Sequence, residues 1–151
     1  MPRVVREADV TWDGNLARGE GALTAASSSA FAALPYSLAT RVGATEGKTS
    51  PEELLAAAHA GCFGMSLAAE LTGAGTPPGH LEVRCRITLD EVPDAGHRIV
   101  RSDLEARGRV PGADAEAFAR AAEAADEGCT FSALLRASAT VTVNATLEGD
   151  E

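Results

Sequence analysis

The longest apolar stretch of the chain lies at residues 48–73, and it opens with a strong helix start. Ser50 suits the N-cap, Pro51 suits the first helical position, and Glu53 completes a capping box. The pattern predicts a helix over residues 51–72. Because this helix is apolar on most sides, we expect it to be buried on most sides.

Segments of alternating or β-branched residues predict strands before and after this helix. We predict strands at residues 4–12, 16–27, 35–42, 80–92, 97–110 and 137–147, and two further helices at residues 114–126 and 130–135. The strands are mainly linked by hairpins, and no βαβ unit repeats. This order indicates an α+β fold with antiparallel sheets around a long buried central helix. The absence of repeats and linkers predicts a single domain.

The 151 residues are enough to bury the core of one domain. A net charge of −9 opposes binding to nucleic-acid phosphates and to anionic membrane surfaces. The start, MPRVVREADV, has no apolar run after its arginines and does not resemble a secretory signal. The uncharged part of the central helix, residues 54–69, is shorter than the ~20 residues that a bilayer needs. We therefore expect a cytoplasmic protein.

Three cysteines carry the candidate chemistry, and neither a structural disulfide framework nor a Cys-x-x-Cys motif is indicated. Cys85 alternates in phase with the apolar residues of its predicted strand, which is typical of a core residue. Cys62 lies among small residues of the central helix and is either packing filler or a nucleophile. Cys129 follows a helix break, where the positive end of a new helix favours the thiolate. Cys62 and Cys129 are thus either a redox pair or two buried small hydrophobes.

The three histidines lack the spacing of metal ligands, although His59 and Cys62 share a helix face and would make a weak metal site. His59 is either a general base near Cys62 or a packed, hydrogen-bonded core histidine. No metal or other cofactor is predicted.

Several short motifs resemble, in their order, those of OsmC proteins, which with the related Ohr proteins are small bacterial thiol peroxidases. They are TWDG at residues 11–14, TR at 40–41, GKTSPEEL at 47–54, AAHAGCF at 57–63, VPG at 110–112 and EGC at 127–129. The resemblance covers nearly the whole chain. Two positions depart from the family pattern: Gly61 stands where Ala is frequent, and Thr130 stands where Pro is frequent.

The resemblance implies an intertwined homodimer with two active sites at its interface. It also implies a peroxidase that reduces organic hydroperoxides, and hydrogen peroxide less well. Cys62 would be the peroxidatic cysteine, and Cys129 would resolve it through an intramolecular disulfide that a dithiol or a lipoylated protein reduces. An Arg–Glu pair beside the thiolate would be formed by Arg41 and Glu52, with Arg18 as the second candidate for the arginine. No metal, haem or flavin is needed.

These roles agree with the chemistry. An arginine lowers the pKa of a nearby thiol and donates hydrogen bonds to a leaving oxygen, while a carboxylate holds that arginine by a bidentate ion pair. Glu52 and Cys62 are about 15 Å apart along a straight helix. If both serve one site, the helix must break or Glu52 must come from a second chain, which a two-fold dimer provides. Trp12 and Phe63 are candidates for an apolar substrate pocket, with Phe63 preferred.

Two other functions stay open. One is a non-enzymatic binding protein of the same fold, which holds a small apolar ligand and has no need of a reactive thiol. The other is a hydrolase that uses Cys62 with His59 as its base.

Overall fold

The computed structural model describes residues 2–149, which form two compact units that divide between Pro51 and Glu52. The first unit contains three short strands and a short helix. The elements are β1 (Ala8–Asp13), β2 (Glu20–Ala25), β3 (Leu34–Tyr36) and α1 (Leu38–Val42). The three strands form an antiparallel sheet in the order β1-β2-β3. The prediction that the whole chain is a single domain stays a prediction.

The third predicted strand, residues 35–42, is wrong in its second half, which forms helix α1. Ser37 caps this helix, since its backbone is extended and its hydroxyl accepts a hydrogen bond from the Thr40 N–H at 3.2 Å. This cap competes with strand pairing and ends β3 at Tyr36. Arg41 therefore lies on a helix and not at a strand end.

The second unit contains the long helix, two further helices and a three-stranded sheet. The elements are α2 (Pro51–Gly73), β4 (His80–Val92), β5 (Gly96–Arg109), α3 (Ala115–Gly128), α4 (Thr130–Arg136) and β6 (Thr140–Leu147). These bounds agree with the predicted elements, and the α+β class is confirmed. Strands β4 and β5 form a long antiparallel hairpin.

The predicted antiparallel pairing holds for β1 to β5, whereas β6 departs from it and pairs with β5 in parallel. The reason is the connection, because α3 and α4 carry the chain back along the sheet before β6 begins. A parallel neighbour requires such a crossover, whereas an antiparallel one requires only a turn.

Within the single chain, helix α2 fully buries one stripe of its surface, most flanking positions are partly buried, and one face is exposed. The buried residues are spaced by four: His59, Phe63, Leu67 and Leu71. Phe63, Leu67 and Leu71 pack into a core shared with β5 and α3, and full burial of each such side chain contributes about 1.5–3 kcal/mol. On another face Met65 is 78 % exposed. By length and composition alone α2 would also suffice to span a bilayer, but its stripe in the core is that of a globular core helix.

Candidate active site

Two thiols from distant parts of the second unit meet at the middle of α2. The sulfur of Cys62 lies 3.3 Å from the sulfur of Cys129, although 67 residues separate them along the chain. Both cysteines are free thiols, and the Cys129 thiol donates a hydrogen bond to the Cys62 sulfur. The structure thus brings together the two cysteines that the sequence singled out.

Cys129 owes its position to the junction between α3 and α4. Helix α3 ends at Gly128, and Cys129 has an extended backbone that turns the chain into α4. Its carbonyl accepts the first hydrogen bond of α4, from the Ala133 N–H at 3.1 Å. Cys129 is 1 % exposed, whereas Cys62 is only half-buried. A small molecule from solvent therefore reaches the sulfur of Cys62 before that of Cys129.

The surroundings of Cys62 favour its thiolate. Partial burial opposes ionisation, but hydrogen bonds from the Thr130 hydroxyl, the Cys129 thiol and the backbone N–H groups at the start of α4 outweigh it, so the pKa of Cys62 is lowered. The Thr130 oxygen lies 3.6 Å from the Cys62 sulfur. By contrast, burial raises the pKa of Cys85. Cys62 is accordingly the more reactive of these two thiols at neutral pH.

Thr130 is a site residue that the sequence did not identify as functional. It was singled out only as a departure from the family pattern, although a hydroxyl directly after Cys129 could have been noticed as a thiolate donor. Its side chain reaches Cys62 because Thr130 is the first residue of α4.

The Thr130→Val substitution keeps the side-chain shape and removes the hydroxyl, so we expect it to raise the pKa of the Cys62 thiol. Alkylation of Cys62 by iodoacetamide at neutral pH should slow several-fold and recover at high pH, since the thiolate is the reacting species. Thr130→Ser, which keeps a hydroxyl, is the matched control, and its alkylation rate should stay close to that of the unmodified protein. Peptide mass mapping distinguishes Cys62 from the other cysteines. Identical pH profiles for Thr130→Val and the unmodified protein would contradict the role of the hydroxyl.

His59 is a hydrogen-bonded core histidine, as one of the two interpretations predicted. It is fully buried, with its Nδ1 at 2.6 Å from the Ser102 hydroxyl and its Nε2 at 2.8 Å from the Ser132 hydroxyl. Burial lowers its pKa, with Asp126 opposing that shift and Arg136 adding to it. Because both ring nitrogens are bonded to serines, His59 is not placed as the base of a hydrolase at Cys62.

Cys85 lies behind this histidine, with its sulfur 3.3 Å from the Ser102 oxygen and 3.8 Å from His59 Nδ1. Its packing against the core confirms the prediction of a core cysteine. Within residues 2–149, no group of three or more His, Cys, Asp and Glu side chains is arranged to hold a metal ion.

Arg41 lines an apolar cleft of about 340 Å³ within the first unit. The cleft also contains Trp12, Leu16, Tyr36, Ser37 and Leu38. The alternative arginine, Arg18, lies in the turn between β1 and β2, where its backbone N–H donates a hydrogen bond to the side-chain oxygen of Asn15. Phe63 is fully buried in the core, so its predicted role in a substrate pocket is wrong, whereas Trp12 does line a cleft.

Glu52 lies in the first turn of α2, and α2 continues unbroken from there past Cys62. The helix break that would have let Glu52 and Cys62 of one chain approach each other is therefore absent from this part of the chain. The pairing of Glu52 with Arg41 or Arg18 stays a prediction.

Solved structures share this fold. An organic hydroperoxide resistance protein OsmC from Legionella pneumophila superimposes with a TM-score of 0.73 at 18 % identity, covering 95 % of this chain and 99 % of its own. The organic hydroperoxide resistance protein OhrB of Bacillus subtilis superimposes with a TM-score of 0.72 at 24 % identity, covering 93 % of this chain and 98 % of its own. At these identities the likeness concerns the fold alone.

Sequence comparison is more specific. The chain is 38 % identical over 130 residues to peroxiredoxin OsmC of Escherichia coli (strain K12), covering 86 % of this chain and 89 % of the relative, and the same values hold for peroxiredoxin OsmC of Shigella flexneri. Residues 44–144 match the model of the OsmC-like protein family. With the paired thiols, the fold and this similarity in agreement, the chain belongs to the OsmC family.

Proposed function

We propose that this protein is a thiol-dependent peroxidase that reduces organic hydroperoxides, and hydrogen peroxide less well. The observation that carries the proposal is the 3.3 Å separation of the Cys62 and Cys129 sulfurs. Its relatives at 38 % identity are named peroxiredoxins. The expected cytoplasmic location is part of the same proposal, since a dithiol pool is needed to regenerate the thiols.

In the first step the Cys62 thiolate attacks the outer oxygen of the hydroperoxide. A sulfur–oxygen bond forms and the O–O bond breaks, so Cys62 becomes a sulfenic acid and the substrate leaves as an alcohol after taking a proton. The lowered pKa of Cys62 supports this role, because an ordinary thiol is mostly protonated at neutral pH.

In the second step the Cys129 thiol attacks the sulfenic sulfur of Cys62, a disulfide forms and water leaves. Burial of Cys129 suits a resolving cysteine, since it keeps this thiol away from peroxide while it faces Cys62. An external dithiol, or the dihydrolipoyl group of a lipoylated protein, then reduces the disulfide by thiol–disulfide exchange.

Arg41 is proposed to stabilise the thiolate and the leaving oxygen, with Arg18 as the alternative. Glu52 holds the arginine by an ion pair. The unbroken helix between Glu52 and Cys62 supports a homodimer in which Glu52 comes from the partner chain. The apolar cleft around Arg41 supports a preference for hydroperoxides with hydrocarbon substituents.

The test is the Cys129→Ser variant treated with one equivalent of tert-butyl hydroperoxide. We expect it to consume that equivalent and stop with Cys62 as a sulfenic acid, which dimedone traps and which adds one oxygen to the protein mass. The unmodified protein should instead lose two hydrogens and give a peptide with Cys62 linked to Cys129.

The Cys85→Ser variant is the matched control, because its substitution leaves both reacting thiols in place. It should form the same disulfide as the unmodified protein. A disulfide between Cys62 and Cys85 would overturn the resolving role of Cys129. If the unmodified protein consumes no hydroperoxide while it binds apolar ligands, the binding-protein alternative is correct.

A further inference from the structure

Helices α2 and α4 are joined at two levels that lie one helical turn apart. At the first level the sulfurs of Cys62 and Cys129 are 3.3 Å apart. At the second level His59, three residues before Cys62, shares a 2.8 Å hydrogen bond with Ser132, three residues after Cys129. A spacing of three residues places side chains on the same face of a helix. His59 and Cys62 therefore share a face of α2, and their partners are the third residue of α4 and its N-cap residue, so the two contacts are neighbours.

His59 is itself held from the side of the sheet. Its second ring nitrogen bonds the Ser102 hydroxyl of β5 at 2.6 Å, and Cys85 of β4 contacts the same hydroxyl. The side chains of His59, Ser102 and Ser132 are all fully buried. A buried imidazole with both nitrogens bonded cannot turn without leaving a polar atom unpaired, and an unpaired buried polar atom is unfavourable.

Helix α4 depends on such contacts for its position. It has seven residues, and helices of this length are not stable in isolation. Its far end is held by the buried Leu135 and by an ion pair between Arg136 and Asp126. Ser132 lies on the turn next to Cys129, and its hydrogen bond is directional, whereas apolar packing permits small shifts.

We propose that His59 is a positioning residue which, through Ser132, holds Cys129 within reach of oxidised Cys62. The inference rests on the proposed peroxidase function and concerns its second step. The sulfenic acid at Cys62 has two fates. It condenses with Cys129, with loss of water, or it reacts with a second hydroperoxide to give a sulfinic acid and an alcohol. The position of Cys129 determines the ratio of these two products.

The test is Ser132→Ala in the full-length protein. Loss of one hydrogen bond, about 1 kcal/mol, corresponds to about a fivefold change in the ratio of the two rates. At a fixed excess of tert-butyl hydroperoxide, with dithiol present, we expect the sulfinic fraction of Cys62 per turnover to rise about fivefold. The rate constant for the first oxidation of Cys62 is measured separately, because the sulfinic fraction depends only on how the sulfenic acid divides between its two fates and not on how fast it forms. Intact-protein mass spectrometry and stopped-flow fluorescence measure these two quantities.

Two variants separate positioning from a general loss of stability. Ser132→Thr keeps the hydroxyl and should restore a low sulfinic fraction. Thr76→Val removes a hydroxyl that donates to the Leu71 carbonyl near the end of α2, away from both thiols, and it should leave the sulfinic fraction unchanged. If Ser132→Ala lowers the unfolding temperature but leaves the sulfinic fraction at the level of the unmodified protein, His59 has a structural role only and the inference is overturned.

Oxidation by diamide distinguishes failure of this inference from failure of the proposed function. Diamide forms an adduct with the Cys62 thiolate, and attack of Cys129 on that sulfur expels the hydrazine and forms the disulfide. Ser132→Ala should slow this second step about fivefold, whether or not the protein reduces peroxides. Equal disulfide formation by Ser132→Ala and the unmodified protein would overturn the positioning role even if peroxidase activity is present.

Discussion

Replacing Cys62 with Ser is expected to reduce hydroperoxide consumption at least about a thousandfold, to the background rate, because loss of a nucleophile removes the whole reaction path. A serine hydroxyl does not ionise at neutral pH and does not form a sulfenic acid. The measurement is the loss of tert-butyl hydroperoxide with a small dithiol as reductant. Thermal unfolding of the variant should remain cooperative, since Cys62 is only half-buried.

Cys85→Ser is the control for this substitution. The thiol of Cys85 packs against the core and its pKa is raised by burial, so its replacement should retain most of the activity. Consumption of hydroperoxide by Cys62→Ser at a rate similar to that of the unmodified protein would refute the assignment of Cys62 as the nucleophile.

Replacing Arg41 with Met is expected to lower the second-order rate constant for Cys62 oxidation about a hundredfold, the magnitude typical for loss of one donor that stabilises a developing negative charge. Met keeps much of the length and apolar surface of the arginine side chain within the cleft. Stopped-flow measurement of Cys62 oxidation gives the rate constant directly. The matched variant is Arg18→Met, whose rate constant for Cys62 oxidation should stay close to that of the unmodified protein. The reverse result would assign the thiolate partner to Arg18.

A mixing experiment tests the origin of Glu52. Glu52→Gln and Cys62→Ser should each be impaired alone, because one lacks the carboxylate and the other lacks the nucleophile. In a mixed dimer, Cys62 of the first variant would meet Glu52 of the second in one complete site. The two variants are unfolded together and refolded as a mixture. If the peroxidase activity of this mixture is well above the sum of the activities of the two variants, the site is shared between chains. Activity that only equals the sum would show that Glu52 acts within its own chain.

Most of the fold followed from local patterns. The long helix α2 was predicted from the capping residues and the apolar stretch, and β4 was predicted from its alternation. The direction of β6 was missed because it depends on the path of the chain through α3 and α4 and not on the residues of β6. The short helix α1 was missed because its five residues have no local helix signal strong enough to outweigh their β-branched and apolar neighbours. The exposed face of α2 was not predicted because composition alone does not show which faces of an apolar helix find partners within the chain.

Of the residues that the family resemblance named, the structure brings Cys62 and Cys129 together, while the part of Arg41 and Glu52 in the site stays a prediction. The resemblance did not reveal Thr130, Ser102 or Ser132 as contacts, because single hydroxyl side chains occur throughout a sequence without a periodic pattern. Their roles depend on which other element lies beside them.

By itself the sequence determined most of the helices and strands, since capping, alternation and chain breaks act over a few neighbouring residues. It also determined which thiols are candidates for chemistry. Only the tertiary structure decided that Cys129 lies beside Cys62 and that His59 bonds Ser132 one turn away. These contacts join residues about seventy positions apart along the chain, and they arise from the packing of α4 against α2, which no local pattern encodes.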